Sequence, residues 1–176
     1  MLKDLRNLLR EMIAVGADAC VVLENHKTGE KKVVFGRNIV TDAGDQYYAQ
    51  KAAGETPEND FNTLYLASAG PDTPSKSDNY DSFTVISGSA KTVSAGYPRT
   101  NDTDPDNPGS GPDVVTWLFE YSTSDGPFSG VTHSFISVAG AGSGSPILNS
   151  YKWDAAWDKD NNTSAKIFAN HTMNGV

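Results

Sequence analysis

A single cysteine, Cys20, stands in 176 residues, so no disulfide can close within the chain. A lone thiol reads as a small buried hydrophobe, since a reactive one needs a base or cation beside it and none is legible. Long hydrophobic runs are missing too: no stretch approaches the roughly 20 apolar residues of a membrane-spanning helix. The first residues do not read as a secretory leader, because Lys3, Asp4, Arg6, Arg10 and Glu11 interrupt the apolar positions from Leu2 to Ile13. Positive charge is scarce. Fourteen Lys and Arg face 22 Asp and Glu, a net charge of −8. That balance argues against nucleic acid, whose phosphates require clustered cations, and against anionic membrane surfaces. His26, His133 and His171 show no metal-ligand spacing, the serines form no G-x-S-x-G elbow, and no internal repeat is visible.

What is present is short apolar segments between stretches of Gly, Ser, Thr, Asn and Asp. This composition predicts a mainly β, antiparallel sandwich or jelly-roll-like domain over 17–176, one core with long surface loops. Ahead of it, Leu2, Leu5, Leu8, Leu9, Met12 and Ile13 recur at helical steps opposite charged residues. They predict an amphipathic helix over about 2–14 within an arm of residues 1–16. Its leucine stripe is expected to be buried on the chain's own sheet or on a partner subunit, with a membrane surface the least favoured since the polar face mixes both charge signs. Leu2, Leu5, Leu9 and Met12 are the candidate interface residues. Ala19–Glu24 and Glu30–Phe35 read as a hairpin around His26-Lys27-Thr28-Gly29. A single helix inside the domain is expected over about 42–53. Thr41 or Asp42 would cap it, Asp45 and Lys51 would suit its dipole, and Gly54 would end it. Ala43, Tyr47, Ala52 and Ala53 are expected to plug one end of the fold. Further strands are expected at Phe61–Ala67, within Ser82–Tyr97, at Thr132–Val138 and at Ala165–Met173. Val114–Tyr121, apolar on both faces, reads as the central strand.

Three stretches invite a chemical reading. In the loop 102–113, Asp102, Asp104, Asp106 and Asp113 fall at positions one, three, five and twelve of a calcium-loop spacing, which can bring hard oxygens around one point. Asn107 replaces the turn glycine, prolines stiffen the loop and no helices flank it, so a solvated acidic loop is the competing reading. Asp158-Lys159-Asp160-Asn161-Asn162 is a weaker echo. Gly140-Ala141-Gly142-Ser143-Gly144 resembles a phosphate cradle only in composition, since no helix follows it. Tyr151, Trp153 and Trp157 can be drawn as a sugar-stacking platform or as core packing. Finally, Asn174-Gly175 is a hairpin turn signal after the last expected strand. It predicts an open sheet edge there, with a final strand missing or supplied by another chain.

The strand, turn and helix around Gly36-Arg37-Asn38-Ile39-Val40-Thr41-Asp42-Ala43-Gly44 carry a resemblance. So do Phe61-Asn62-Thr63-Leu64-Tyr65-Leu66-Ala67-Ser68-Ala69-Gly70 and the loop Pro71-Asp72-Thr73-Pro74-Ser75-Lys76-Ser77-Asp78. With Val114–Tyr121 and Phe135-Ile136-Ser137-Val138-Ala139-Gly140, they resemble small β-sandwich structural proteins of tailed bacteriophages, which share an N-x-V-T-x-x-G turn into one helix. The likeness spans residues 30–145, and the N-terminal helix, the acidic loop and the ending depart from it. It implies a virion protein without catalytic residues or cofactor, serving as capsid decoration or cement, or in the collar or tail. Its partners would be the major capsid protein or tail components and further copies of itself. The alternative it leaves is a collar or tail-fibre module that binds host glycan through Tyr151, Trp153 and Trp157.

Overall fold

The computed structural model describes residues 18–173. The expected helix over 2–14, with Leu2, Leu5, Leu9 and Met12, lies outside the described residues, as do residues 174–176. The strands are β1 (Ala19–Asn25), β2 (Glu30–Val40), β3 (Phe61–Ala69), β4 (Thr84–Val85), β5 (Lys91–Thr92), β6 (Val114–Tyr121), β7 (Phe128–Val138), β8 (Ile147–Lys159) and β9 (Thr163–Thr172). One α-helix, α1 (Asp42–Ala52), follows β2, and a 3-10 turn at Tyr80–Ser82 precedes β4. Among the described residues the expected class is what forms: a mainly β, antiparallel fold with one short helix.

All nine strands join one sheet, in the order β4-β3-β7-β8-β2-β1-β9-β6, with β5 beside β3. The sheet curls until its ends meet across a strap. β5 pairs with Thr63 and Leu64 of β3, and Val93 then donates to the Asn62 carbonyl (2.8 Å). One residue on, Ser94 donates to Leu118 of β6 (2.8 Å), and Arg99 and Thr116 exchange two backbone bonds (3.0 and 2.8 Å). The Tyr121 hydroxyl adds a bond to the Ser89 carbonyl (2.7 Å). β6 is therefore the last strand of the ladder rather than its centre. It is apolar on both sides because the curled interior covers one face and the loop 97–113 covers the other. β9 is paired along both edges, to β1 and to β6. The open edge expected after the last strand does not exist there.

Alternation along each strand sorts the side chains. Ala19, Val21 and Leu23 of β1, Trp117, Phe119 and Tyr121 of β6, and Ala165, Ile167 and Ala169 of β9 face a common interior with Tyr151, Trp153 and Trp157 of β8. The outward side of β1, β9 and β6 holds Cys20, Val22, Phe168 and Leu118, with Tyr97 against them. The outward side of β3 and β7 holds Tyr65, Ala67, Phe135 and Phe83, with Tyr80 against them. β2 changes neighbours midway: Glu30–Gly36 pair with β1 and Gly36–Val40 with β8. β8 is irregular opposite β7. Lys152 faces His133 and Trp157 faces Val131, so β8 carries extra residues there, and Asp154, Ala155 and Ala156 stand in solvent.

Candidate functional site

α1 is fixed to the sheet at its start. The Thr41 side chain caps the helix by accepting from Gly44 N (3.1 Å). The same hydroxyl donates to the carbonyls of Ile147 and Leu148 on β8, and Thr41 N donates to Leu148 O (3.1 Å). Gly44 has to be glycine, because a Cβ there would run into the Leu148 carbonyl oxygen. The plug beyond the cap is aromatic. Tyr47 packs edge-on to Phe61 and Tyr48, at 5.6 and 5.3 Å between ring centres. Ala43 touches the core, whereas Ala52 and Ala53 are exposed, which corrects the expected plug: Tyr48 takes their place.

Beneath Tyr48 lies a buried polar cluster built from four elements. Trp117 Nε1 of β6 donates to the Tyr48 hydroxyl (2.9 Å), which lies 2.5 Å from His171 Nδ1 of β9. His171 Nε2 faces Asn149 Nδ2 (2.7 Å) and the Tyr151 hydroxyl (2.9 Å), both on β8. The donors settle the tautomer. Asn149 Oδ1 accepts from Ile136 N (3.0 Å), so its amide nitrogen is the group turned to His171 and can only donate. Nε2 is thus the acceptor, and Nδ1–H donates to Tyr48. Burial pushes the imidazole pKa down to about 3 and the Tyr48 and Tyr151 hydroxyls up. A surface groove of about 270 Å³, bordered by Asp18, Asn38, Lys76 and His171, reaches the edge of this cluster.

The calcium-spaced carboxylates serve a different purpose. Asp102 has a fully buried side chain that accepts from Arg99 Nε (3.0 Å), Tyr97 Oη (2.7 Å) and Asn107 Nδ2 (2.8 Å). Burial pushes its pKa up, but the bonds from Asn107, Tyr97 and Arg99 outweigh that and hold it below the usual carboxylate value. Asp104 and Asp106 both meet Lys166 (3.0 and 3.2 Å), and Asp106 also meets Lys31 (3.3 Å). Asp113 is exposed, and its carbonyl takes the Met173 N–H (2.7 Å). The loop is thereby bolted over the outer face of β1 and β9. Among the described residues, no group of three or more His, Cys, Asp or Glu is arranged to hold a metal ion. The weaker echo is a turn: Asp158 accepts from Gly130 N (2.7 Å), and Asp160 from Asn162 N (2.9 Å) and Thr163 Oγ1 (2.6 Å).

The sugar platform needs correction. Tyr151, Trp153 and Trp157 are 0, 4 and 1% exposed and pack into the interior, so none offers a face to a glycan. The two-residue period places Tyr151 and Trp153 on the inward side of β8, and Trp157 returns to that side after the extra residues 154–156. The glycine turn 140–144 is occupied by the chain's own carboxylate, since Gly144 N (2.8 Å) and Ser143 Oγ (3.2 Å) donate to Asp81. His133 Nε2 donates to the Pro71 carbonyl (3.1 Å), and His26 Nε2 meets Ser164 Oγ (2.9 Å). Cys20 is buried, and burial together with Asp106 and Asp104 pushes its thiol pKa up, away from reactivity. The buried Lys159, which the sequence does not single out, gives its ammonium to the carbonyls of Asp125 and Asp160. No helix among the described residues is long and apolar enough to cross a membrane. Compared with protein families, with curated proteins and with solved structures, the chain matches none.

Proposed function

We propose that the chain is a non-enzymatic structural subunit of a tailed phage particle, acting as capsid decoration or cement through its subunit interfaces. The observation that carries this reading is the joint at residues 36–44. The residues that bear the phage resemblance are those that fasten the helix to the sheet: Thr41 caps α1 and bonds β8, and Gly44 lets the helix lie against Leu148. Support also comes from how the candidate chemical groups are used. Asp102, Asp104 and Asp106 are spent on Arg99, Lys166 and Lys31, and His171 is sealed beneath Tyr48. Such a module would act through its outer surface and, from the sequence, through the leucine stripe expected over residues 2–13.

Binding would work by burying that stripe, Leu2, Leu5, Leu9 and Met12, against the major capsid protein, a tail component or a second copy. Apolar burial contributes roughly 25 cal/mol per Å² before association costs are subtracted. Symmetric repetition then turns weak contacts into avid ones. Mass spectrometry of purified particles from a culture producing the chain tests the reading. The chain should appear in fixed proportion to capsid or tail subunits, and its absence from purified particles would sink the proposal. A protein truncated to residues 15–176 should stay folded and no longer co-sediment with particles. Normal incorporation of that truncated form would show that the leucine stripe is not the contact.

A further inference from the structure

We propose that His171 is an acid-released latch for α1: protonation of its ring unseats Tyr48, and the helix lifts about its pinned N-terminus to uncover the aromatic end of the core. The inference is independent of the virion reading. It rests on how unequally the helix is held. At its start, Thr41 and Gly44 tie it to Ile147 and Leu148. At its middle, Tyr47 and Tyr48 reach into the fold, and the only polar partners of the Tyr48 hydroxyl among the described residues are Trp117 and His171. At its far end Ala49 is exposed, Gln50 is half-buried, and the residues from Lys51 to Gly54 are exposed. Beyond its first turn the helix is held to the sheet by its aromatic packing and by the contacts of the Tyr48 hydroxyl with Trp117 and His171. Among the described residues, the Gln46 and Gln50 side chains bond only to Glu58 of the loop that follows.

The geometry says what a second ring proton would do. Neutral His171 donates through Nδ1 and accepts through Nε2. A proton on Nε2 would meet the donor Asn149 Nδ2, 2.7 Å away, which cannot turn because its oxygen is held by Ile136 N. Only the uncharged Tyr151 hydroxyl oxygen, 2.9 Å away, could accept it. Among the described residues the ring's partners are Tyr48, Asn149 and Tyr151, none of them charged. The charged groups on the adjoining groove are Asp18 of the β1 entry and Lys76 of the loop after β3; Lys76 pairs with Asp45 of α1. Burial holds the Asp18 carboxyl pKa up, so in acid it becomes a poor counter-ion. Trp117 of β6 brings no charge. The imidazolium therefore has to gain water. Asn149, Tyr151 and Trp117 sit on strands laced into ladders, and β9 itself is paired on both sides, so α1 is the neighbour free to give way.

The sign follows from linkage. The enclosed ring titrates at about 3 against 6.5 when free. The closed state is thus fully favoured above 6.5, and the opening constant rises about tenfold for each pH unit below it, until the enclosed ring itself titrates.

Hydrogen exchange read by mass spectrometry, corrected for the intrinsic pH dependence of amide exchange, tests this on the intact chain. Between neutral pH and about pH 4.5, protection of the α1 amides should fall by about 100-fold, while β1 and β9 keep theirs. In His171→Gln that dependence should vanish. Equal loss in α1 and β1, no loss in α1, or the same pH profile in His171→Gln would overturn the latch. If that variant does not fold, the contrast between α1 and β1 in the natural chain decides alone. A Tyr48→Phe variant should then show low α1 protection already at neutral pH, and native-like protection there would count against the proposal.

Discussion

At Thr41 one hydroxyl serves two elements, accepting from Gly44 N and donating to the carbonyls of β8. Thr41→Ala removes the cap and leaves a buried carbonyl short of a donor, so a loss of about 1–2 kcal/mol is expected in urea denaturation. Gly44→Ala should cost about 1–3 kcal/mol by forcing the helix off Leu148. Equal stability of the natural chain and the Gly44→Ala variant would contradict the close approach. The cap is readable in the sequence because Thr, Asp and a following helix are local chemistry. The Tyr48–His171–Asn149 cluster is not, since its members lie 123 and 22 residues apart and meet only through the ladder. Tyr151, Trp153 and Trp157 illustrate the same limit. Aromatic residues near charged ones look exposed in sequence, and only the pairing of β8 with β2 and β7 decides which way they face.

Among the elements, β1, β3, β6 and α1 can be placed from local pattern, because the three strands are short apolar runs between polar stretches and the helix caps cleanly. β8 cannot. Its unmatched residues between Lys152 and Trp157 break the two-residue period, so a 13-residue strand reads as mixed sequence. β6 reads as central because both of its sides are apolar. The covering it needs on the outside comes from a loop, which no periodicity announces. That loop, with its salt bridges to Lys166 and Lys31, gives an accessible test. Lys166→Ala should loosen residues 102–107 from β9 and expose Cys20 beneath them. Labelling of Cys20 by a maleimide, slow in the natural chain, should then speed up by about tenfold or more, as expected when a buried thiol with a raised pKa gains water. An unchanged rate would mean that the loop does not guard that face.

For the whole molecule, the strap between β3 and β6 matters most. Ser94→Pro removes the N–H that reaches Leu118 and should open the curl there, with a loss of about 3 kcal/mol. The bared edge of β6 should then promote concentration-dependent association, visible by light scattering. A variant that stays monomeric and fully stable would show that the strap closes nothing. All three tryptophans, Trp117, Trp153 and Trp157, share one interior. Indole fluorescence and far-ultraviolet dichroism should therefore report one coincident unfolding transition. The position of β9 between β1 and β6 also sets a timetable. β1 leaves the ribosome ahead of the other described strands, yet its partner at residues 163–172 emerges after all of them. Until then β1 and β6 each wait with a bare edge, so the nascent chain cannot close its sheet before residue 172 is out, and it must be shielded or kept apart from its neighbours on the same message.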